Sequence, residues 1–174
     1  EKFAEAAWRV KEAGFDTVEL HGAHGYLIAQ FMSPYVNKRN DRFGGSFINR
    51  MRFPLEIIAR IKMKCGKALP IGIRYSGEEW VEGARTYDES LEIAKIMDKI
   101  SQETGVSMAI AVQATDILLC AKEVKIPVFA EHFDPIIPGS HTGWTLPEAV
   151  KAAGAVGTLI NHSEHRLKLA DIDA

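Results

Sequence analysis

The sequence predicts an α/β fold, an incomplete (β/α)8 barrel of about five parallel strands alternating with helices. Three observations predict it. Helical and strand-like segments alternate along the whole chain with short connections, the pattern of parallel strands joined by right-handed crossovers. The strand segments are near-continuous apolar runs, which argues that both their faces are covered. No Gly-rich phosphate fingerprint follows any strand, so an open dinucleotide-binding sheet loses weight against a barrel.

Each element has its own reason. Residues 3–13 read as a helix, because Phe3, Ala6, Ala7 and Val10 keep the 3.6 period and Gly14 is a stop. Residues 15–20 read as a strand, and residues 24–47 as a long loop rich in Gly, Asn and Arg. Residues 49–65 read as a helix with Met51, Leu55, Ile58 and Ile61 on one face. Then come a buried strand over 69–75, a helix over 88–104 stopped by Gly105, a strand over 106–112 and a helix over 114–124. A strand over 126–130, a helix over 147–153 and a strand over 156–160 follow. The chain opens on Glu1 inside or just before a helix, and it ends as another helix should begin. Five strands in 174 residues, against the eight strands and roughly 250 residues of a full barrel, give the expectation of a partial one.

Composition narrows the function classes. The chain is 47% hydrophobic and 25% charged with a net charge of −2, the profile of a globular protein and not of a disordered or collagen-like one. Two cysteines, Cys65 and Cys120, make no disulfide scaffold. No apolar run approaches the roughly 20 residues of a membrane span, and no signal peptide opens the chain. The expectations are therefore a cytoplasmic protein with no membrane and no nucleic-acid partner. The near-neutral total hides an asymmetry. Residues 1–85 hold 14 Lys and Arg against 10 Asp and Glu (+4), and residues 86–174 hold 7 against 13 (−6). Two surfaces of one domain, or two pieces of different origin, would both produce it.

In barrels the chemistry gathers at the C-terminal ends of the strands. Those ends carry His21 and His24, then Arg74, then Gln113, then His132 and Asp134, then Asn161, His162 and Glu164. His21-x-x-His24 has three possible roles: a metal pair, a structural brace for the loop, or two neutral imidazoles donating to a carbonyl or oxyanion. A third and fourth ligand at fixed spacing are missing, so no metal site is expected. Arg74 ends a buried strand, where a guanidinium needs either an ion-pair partner or an anionic ligand. Arg39, Asp41, Asn49 and Arg50 read as a salt-bridged scaffold.

The stretch from Phe15 to about Trp80 carries a long spaced motif. It runs His21-Gly22-Ala23-His24-Gly25-Tyr26, then Gln30-Phe31, Ser33-Pro34, Asn37, Arg39, Asp41, Gly44-Gly45-Ser46, Asn49-Arg50 and Arg52-Phe53. On these residues, the chain over about 1–90 resembles the old yellow enzyme family of NADH:flavin oxidoreductases, in its 2,4-dienoyl-CoA and enoate reductase branch. The resemblance implies an FMN cofactor, NAD(P)H as reductant and an enone or enoyl substrate. It implies that His21 and His24 bind the substrate carbonyl, that Tyr26 supplies a proton, and that Arg74 approaches the flavin.

From about Thr86 the words change: Ile126-Pro127-Val128-Phe129-Ala130-Glu131-His132, Asp134-Pro135, Pro138-Gly139-Ser140-His141-Thr142-Gly143, and Asn161-His162-Ser163-Glu164. Over about 86–174 the chain resembles archaeal-type triosephosphate isomerase, a TIM barrel enzyme of glycolysis. That implies a triose phosphate substrate, with His162 as the electrophilic histidine and Ser163 and Glu164 opening the helix after it. The loop over 133–143 matches one that crosses a subunit interface, which implies a homo-oligomer. Glu131 stands where that family has Gln, and Ile73-Arg74-Tyr75 stands in place of its Asn-x-Lys strand. The isomerase's catalytic glutamate and closing loop are expected beyond Ala174.

The expected organisation is thus a flavin oxidoreductase-like segment over 1–85 and an isomerase-like segment over 86–174, meeting in a helix similar in both families and forming one partial barrel. The leading function is FMN-dependent reduction of an activated C=C bond. Triosephosphate isomerase is the second reading, and a non-catalytic chimeric half-barrel is the third.

Overall fold

The structure, a computed structural model, describes residues 1–172. It divides into two compact units, Glu1–Ser90 and the chain from Leu91 onward.

The first unit contains α1 (Lys2–Glu12), β1 (Val18–Gly22), α2 (Leu27–Met32), α3 (Phe47–Cys65) and β2 (Ile71–Tyr75). β1 and β2 pair in parallel, with Val18 opposite Ile71 and His21 opposite Arg74. The period of two then puts Leu20, Ile71 and Ile73 on one face and Glu19, His21, Gly72 and Arg74 on the other. Buried Leu20, Ile28, Met32, Ile57, Ile61 and Leu69 form the apolar centre of the unit. At Gly22 α2 packs tightly against the sheet. A Cβ there would lie 2.9 Å from the Arg74 carbonyl oxygen and 3.2 Å from Ile28.

α3 starts on Ser46, whose hydroxyl accepts from the Asn49 N–H, and stops at Gly66 with φ +88°. Its buried face is Arg50, Pro54, Ile57, Ile61 and Cys65. This corrects the expected face: Leu55 is 59% exposed. Two apolar stripes of similar spacing run along this helix, and only packing against α1 and α2 selects between them. The expected loop over 24–47 also contains α2, a helix too short to show a full amphipathic period.

The rest of that loop is tied down by polar side chains. Asn37 Nδ2 donates to the Phe31 and Phe43 carbonyls, both at 2.7 Å. Buried Arg50 donates to the Met32 carbonyl at 2.9 Å and the Gly45 carbonyl at 2.7 Å, and pairs with Glu89. Arg39 pairs with Asp41, whose carboxylate also accepts from the Phe43 N–H at 3.0 Å. The loop is therefore the scaffold its Arg, Asp and Asn content predicts.

Helix α4 (Tyr87–Thr104) begins in the first unit. There the Ser90 hydroxyl donates to the Gly77 carbonyl at 2.6 Å. The second unit adds β3 (Ile110–Val112), α5 (Ile117–Glu123), β4 (Val128–Ala130), α6 (Pro147–Ala152) and α7 (Leu169–Ile172). β3 and β4 pair in parallel. Ala94, Ile117, Cys120, Val124, Ile126, Val128, Ala130, Val150 and Ala155 form the core. Asp98 of α4 accepts from the Lys125 and Ile126 N–H groups at 3.1 and 3.0 Å, which locks the approach to β4.

All five strands are shorter than the sequence suggests, with the first shifted to Val18–Gly22, and two of them are cut back most. The one expected over 106–112 begins only at Ile110, whose N–H donates to the Pro127 carbonyl at 3.1 Å. The one expected over 156–160 is reduced to a single bridge, Thr158 to Ala130, although Val156, Thr158 and Leu159 all donate toward β4. It pairs on one side only, and its Val156 and Ile160 are 66% and 61% exposed. Gly157 lets Phe129 lie against it, since a Cβ there would sit 2.7 Å from the ring. The described residues therefore show two two-stranded parallel sheets with helices between the strands, and no closed barrel.

Candidate functional site

The β1–α2 turn builds the site. β1 delivers His21 at its C-terminal end, and the chain then reverses through His24 (φ +57°) and Gly25 (φ +72°). Two successive left-handed residues make a tight corner. The corner swings His24 back to His21, with ring centroids 5.0 Å apart. Tyr26 is the N-terminal boundary residue of α2, and its ring lies 5.3 Å from that of His21. All three rings are exposed, and Gln30 Nε2 braces the corner by donating to the Gly25 carbonyl at 2.8 Å.

Arg74 is directly opposite His21 in the parallel register, so both side chains leave the same face of the sheet. Its Nε and Nη2 both lie 3.0 Å from Glu19 Oε1. Glu19 sits on that face two residues before His21, and sequence reading missed it. The two are 55 residues apart, and only the parallel register of β1 and β2 makes them neighbours.

Burial lowers the affinity of the Arg85 guanidinium for its proton, against the nearby charge of Glu79. Arg85 is completely buried and lies over the Tyr75 ring at 5.2 Å, with Glu79 at 3.7 Å. Its backbone N–H donates to the Glu79 carboxylate at 2.9 Å, which ties the segment after β2 to itself.

In the second unit His162 stands in a turn. The Glu164 N–H donates to His162 Nδ1 at 3.3 Å, and the Glu164 carboxylate lies 3.4 Å from the same atom. This corrects the expectation that Ser163 and Glu164 open a helix. Asn161 (φ +60°) breaks the backbone, and its side chain accepts from the Leu167 N–H at 2.9 Å, so helix starts only at Leu169. Gln113 donates to Asp116 at 2.8 Å. His132 and Asp134, after β4, meet His165, a residue that the strand-end reading did not single out. Thirty-odd residues separate them, and no local pattern links them.

Parallel βα units with their histidines and arginine at strand C-termini define a partial barrel of the TIM type. The chain belongs to the NADH:flavin oxidoreductase / NADH oxidase family over residues 1–126 and to the triosephosphate isomerase family over residues 84–174, and is composite. It is 58% identical over 99 residues to an NADH oxidase of Thermoanaerobacter brockii, which covers 57% of this chain and 15% of the relative. It is 53% identical over 95 residues to the triosephosphate isomerase of Methanocaldococcus jannaschii, covering 52% of this chain and 43% of the relative. The chain thus spans less than half the length of each of these relatives. Among solved structures, morphinone reductase in complex with tetrahydroNAD superposes with a TM-score of 0.62 at 25% identity, over 90% of this chain and 42% of that one.

The donor set of the first unit suits one side of a flavin and its substrate. It offers a guanidinium for an electron-rich ring edge and two imidazoles for a carbonyl oxygen, on adjacent strands and one open face. Among the described residues no helix is long and apolar enough to cross a membrane.

Proposed function

We propose that the first unit carries the site of an FMN-dependent NAD(P)H oxidoreductase that reduces an activated C=C bond. The observation that carries this reading is the convergence of His21, His24 and Tyr26 at the end of β1, with Arg74 opposite His21 on β2. Membership of the flavin oxidoreductase family supports it. When bound, FMN supplies the hydride. Arg74 would hold the flavin, with Glu19 orienting the guanidinium. His21 and His24 donate hydrogen bonds to the carbonyl oxygen of an enone or enoyl substrate and stabilise the negative charge that grows there. The Tyr26 hydroxyl holds the proton for the α-carbon. The complex of morphinone reductase with tetrahydroNAD supports a nicotinamide reductant.

The test adds FMN, NADPH and a simple cyclic enone to the full chain. Flavin uptake with enone reduction is expected, and His21→Ala/His24→Ala should lower the reduction by at least about 100-fold, the scale of losing oxyanion donors. A protein that takes up no FMN defeats the reading.

The isomerase match over 84–174 supports a second reading, with His162 as its residue. We expect no turnover of glyceraldehyde 3-phosphate, because His162 stands in a turn and lacks the helix terminus this chemistry uses. Measurable isomerisation would reverse that ranking. The join between the two segments is proposed to lie in α4, inside the 84–126 overlap of the two family matches. Two further proposals concern context. Exposed Ile137 (76%) on the loop over 133–143 and Trp144 (58%) just after it support a homo-oligomer, testable by sedimentation. Two free, buried thiols suit a reducing cytoplasm.

A further inference from the structure

We propose that His132, Asp134 and His165 form a binding site for a borderline divalent transition-metal ion of the zinc class. One ligand atom from each residue lies within 4.8 Å of the other two. His132 Nε2 and Asp134 Oδ1 are 3.3 Å apart, and two atoms each about 2.0 Å from a shared tetrahedral ion are separated by about that distance. The His132 and His165 rings are stacked, with centroids 3.8 Å apart and planes inclined by 25°. His165 is exposed, so its ring is free of packing that would hold it in the stacked orientation.

The pair on the β4 side is preorganised. The other Asp134 oxygen accepts from the Thr145 N–H at 2.6 Å, and the Asp134 N–H donates to the Thr145 carbonyl at 2.9 Å. This fixes the carboxylate with one oxygen turned to His132, as a supporting shell does for a metal ligand. The side chains of His132 and Asp134 are only 22% and 13% exposed, so desolvation is already paid in the fold. The His165 N–H donates to the His162 carbonyl at 2.9 Å, which closes the turn that presents the third ligand. Two imidazoles and one carboxylate are borderline and hard donors, which select zinc, cobalt(II) or iron(II) over calcium or magnesium. Three protein ligands leave a fourth position open to water.

The site lies wholly in the second unit and does not depend on the flavin reading. The experiment titrates Co2+, as a spectroscopic probe, and then Zn2+ into the whole 174-residue chain stripped with chelator. One equivalent of Co2+ should bind with visible d–d bands of a four-coordinate ion, and Zn2+ should abolish them. His165→Ala, at an exposed position, should leave the circular dichroism unchanged and weaken binding at least about 10-fold. Asp134→Asn should do the same. His21→Ala/His24→Ala should leave cobalt binding unchanged. The proposal falls if the wild type binds no stoichiometric ion, if His165→Ala binds as well as wild type, or if the His21 and His24 substitutions remove the binding.

Discussion

At the scale of single residues, local hydrogen bonding accounts for much of what the polar side chains do. Arg39 donates to the Asp41 carboxylate and the Phe43 N–H adds a second donor, and together they hold the Asp41 carboxyl below its ordinary range. The folded value lies under the unfolded one of about 3.9. Its contribution to stability is therefore complete above that pH and is lost as pH falls through the depressed folded value. A carboxyl NMR titration should place the Asp41 midpoint below 3.9, and Arg39→Ala should move it back up. A wild-type midpoint at or above the ordinary value contradicts this. The Arg39–Asp41 pairing was legible in the sequence because its members are two residues apart. Glu19 with Arg74 and His132 with His165 were not, since pairing or turning of distant segments brings them together.

At the scale of elements, the corner after β1 shows how backbone and packing cooperate. Left-handed His24 and Gly25 turn the chain, and Gly22 admits α2 against the sheet. Gly22→Ala places a methyl 2.9 Å from the Arg74 carbonyl and 3.2 Å from Ile28, with Ile73 at 3.3 Å. Overpacking of this kind costs about 1–3 kcal/mol. The expected result is a lower urea midpoint together with weaker FMN uptake, because β1, β2 and the His21–His24 corner shift together. An unchanged midpoint would mean that α2 moves away freely. The helices α1, α3, α4 and α6 were legible within a residue or two from the apolar period and the stops Gly14 and Gly105. The ends of β3 and the strand after α6 were not, because strand length depends on what lies alongside.

For the whole molecule, each of the two units has its own buried centre, with Ile61 in the first and Ile117 in the second, both fully buried. Ile61→Ala and Ile117→Ala should each cost about 2–5 kcal/mol in its own unit. Trp8 and Trp80 report on the first and Trp144 on the second. Single-tryptophan versions should show each substitution lowering the transition of its own unit by the larger amount. Equal shifts at both reporters would show one cooperative unit. The alternation of helices with parallel strands and the two family likenesses follow from the sequence alone, because period, stop residues and spaced motifs are properties of neighbouring positions. Only tertiary structure decided which stripe of α3 is buried, that Arg74 meets Glu19, that His162 stands in a turn, and that His132, Asp134 and His165 converge. Each of these depends on the distance between residues far apart in the chain, which packing sets and sequence spacing does not record.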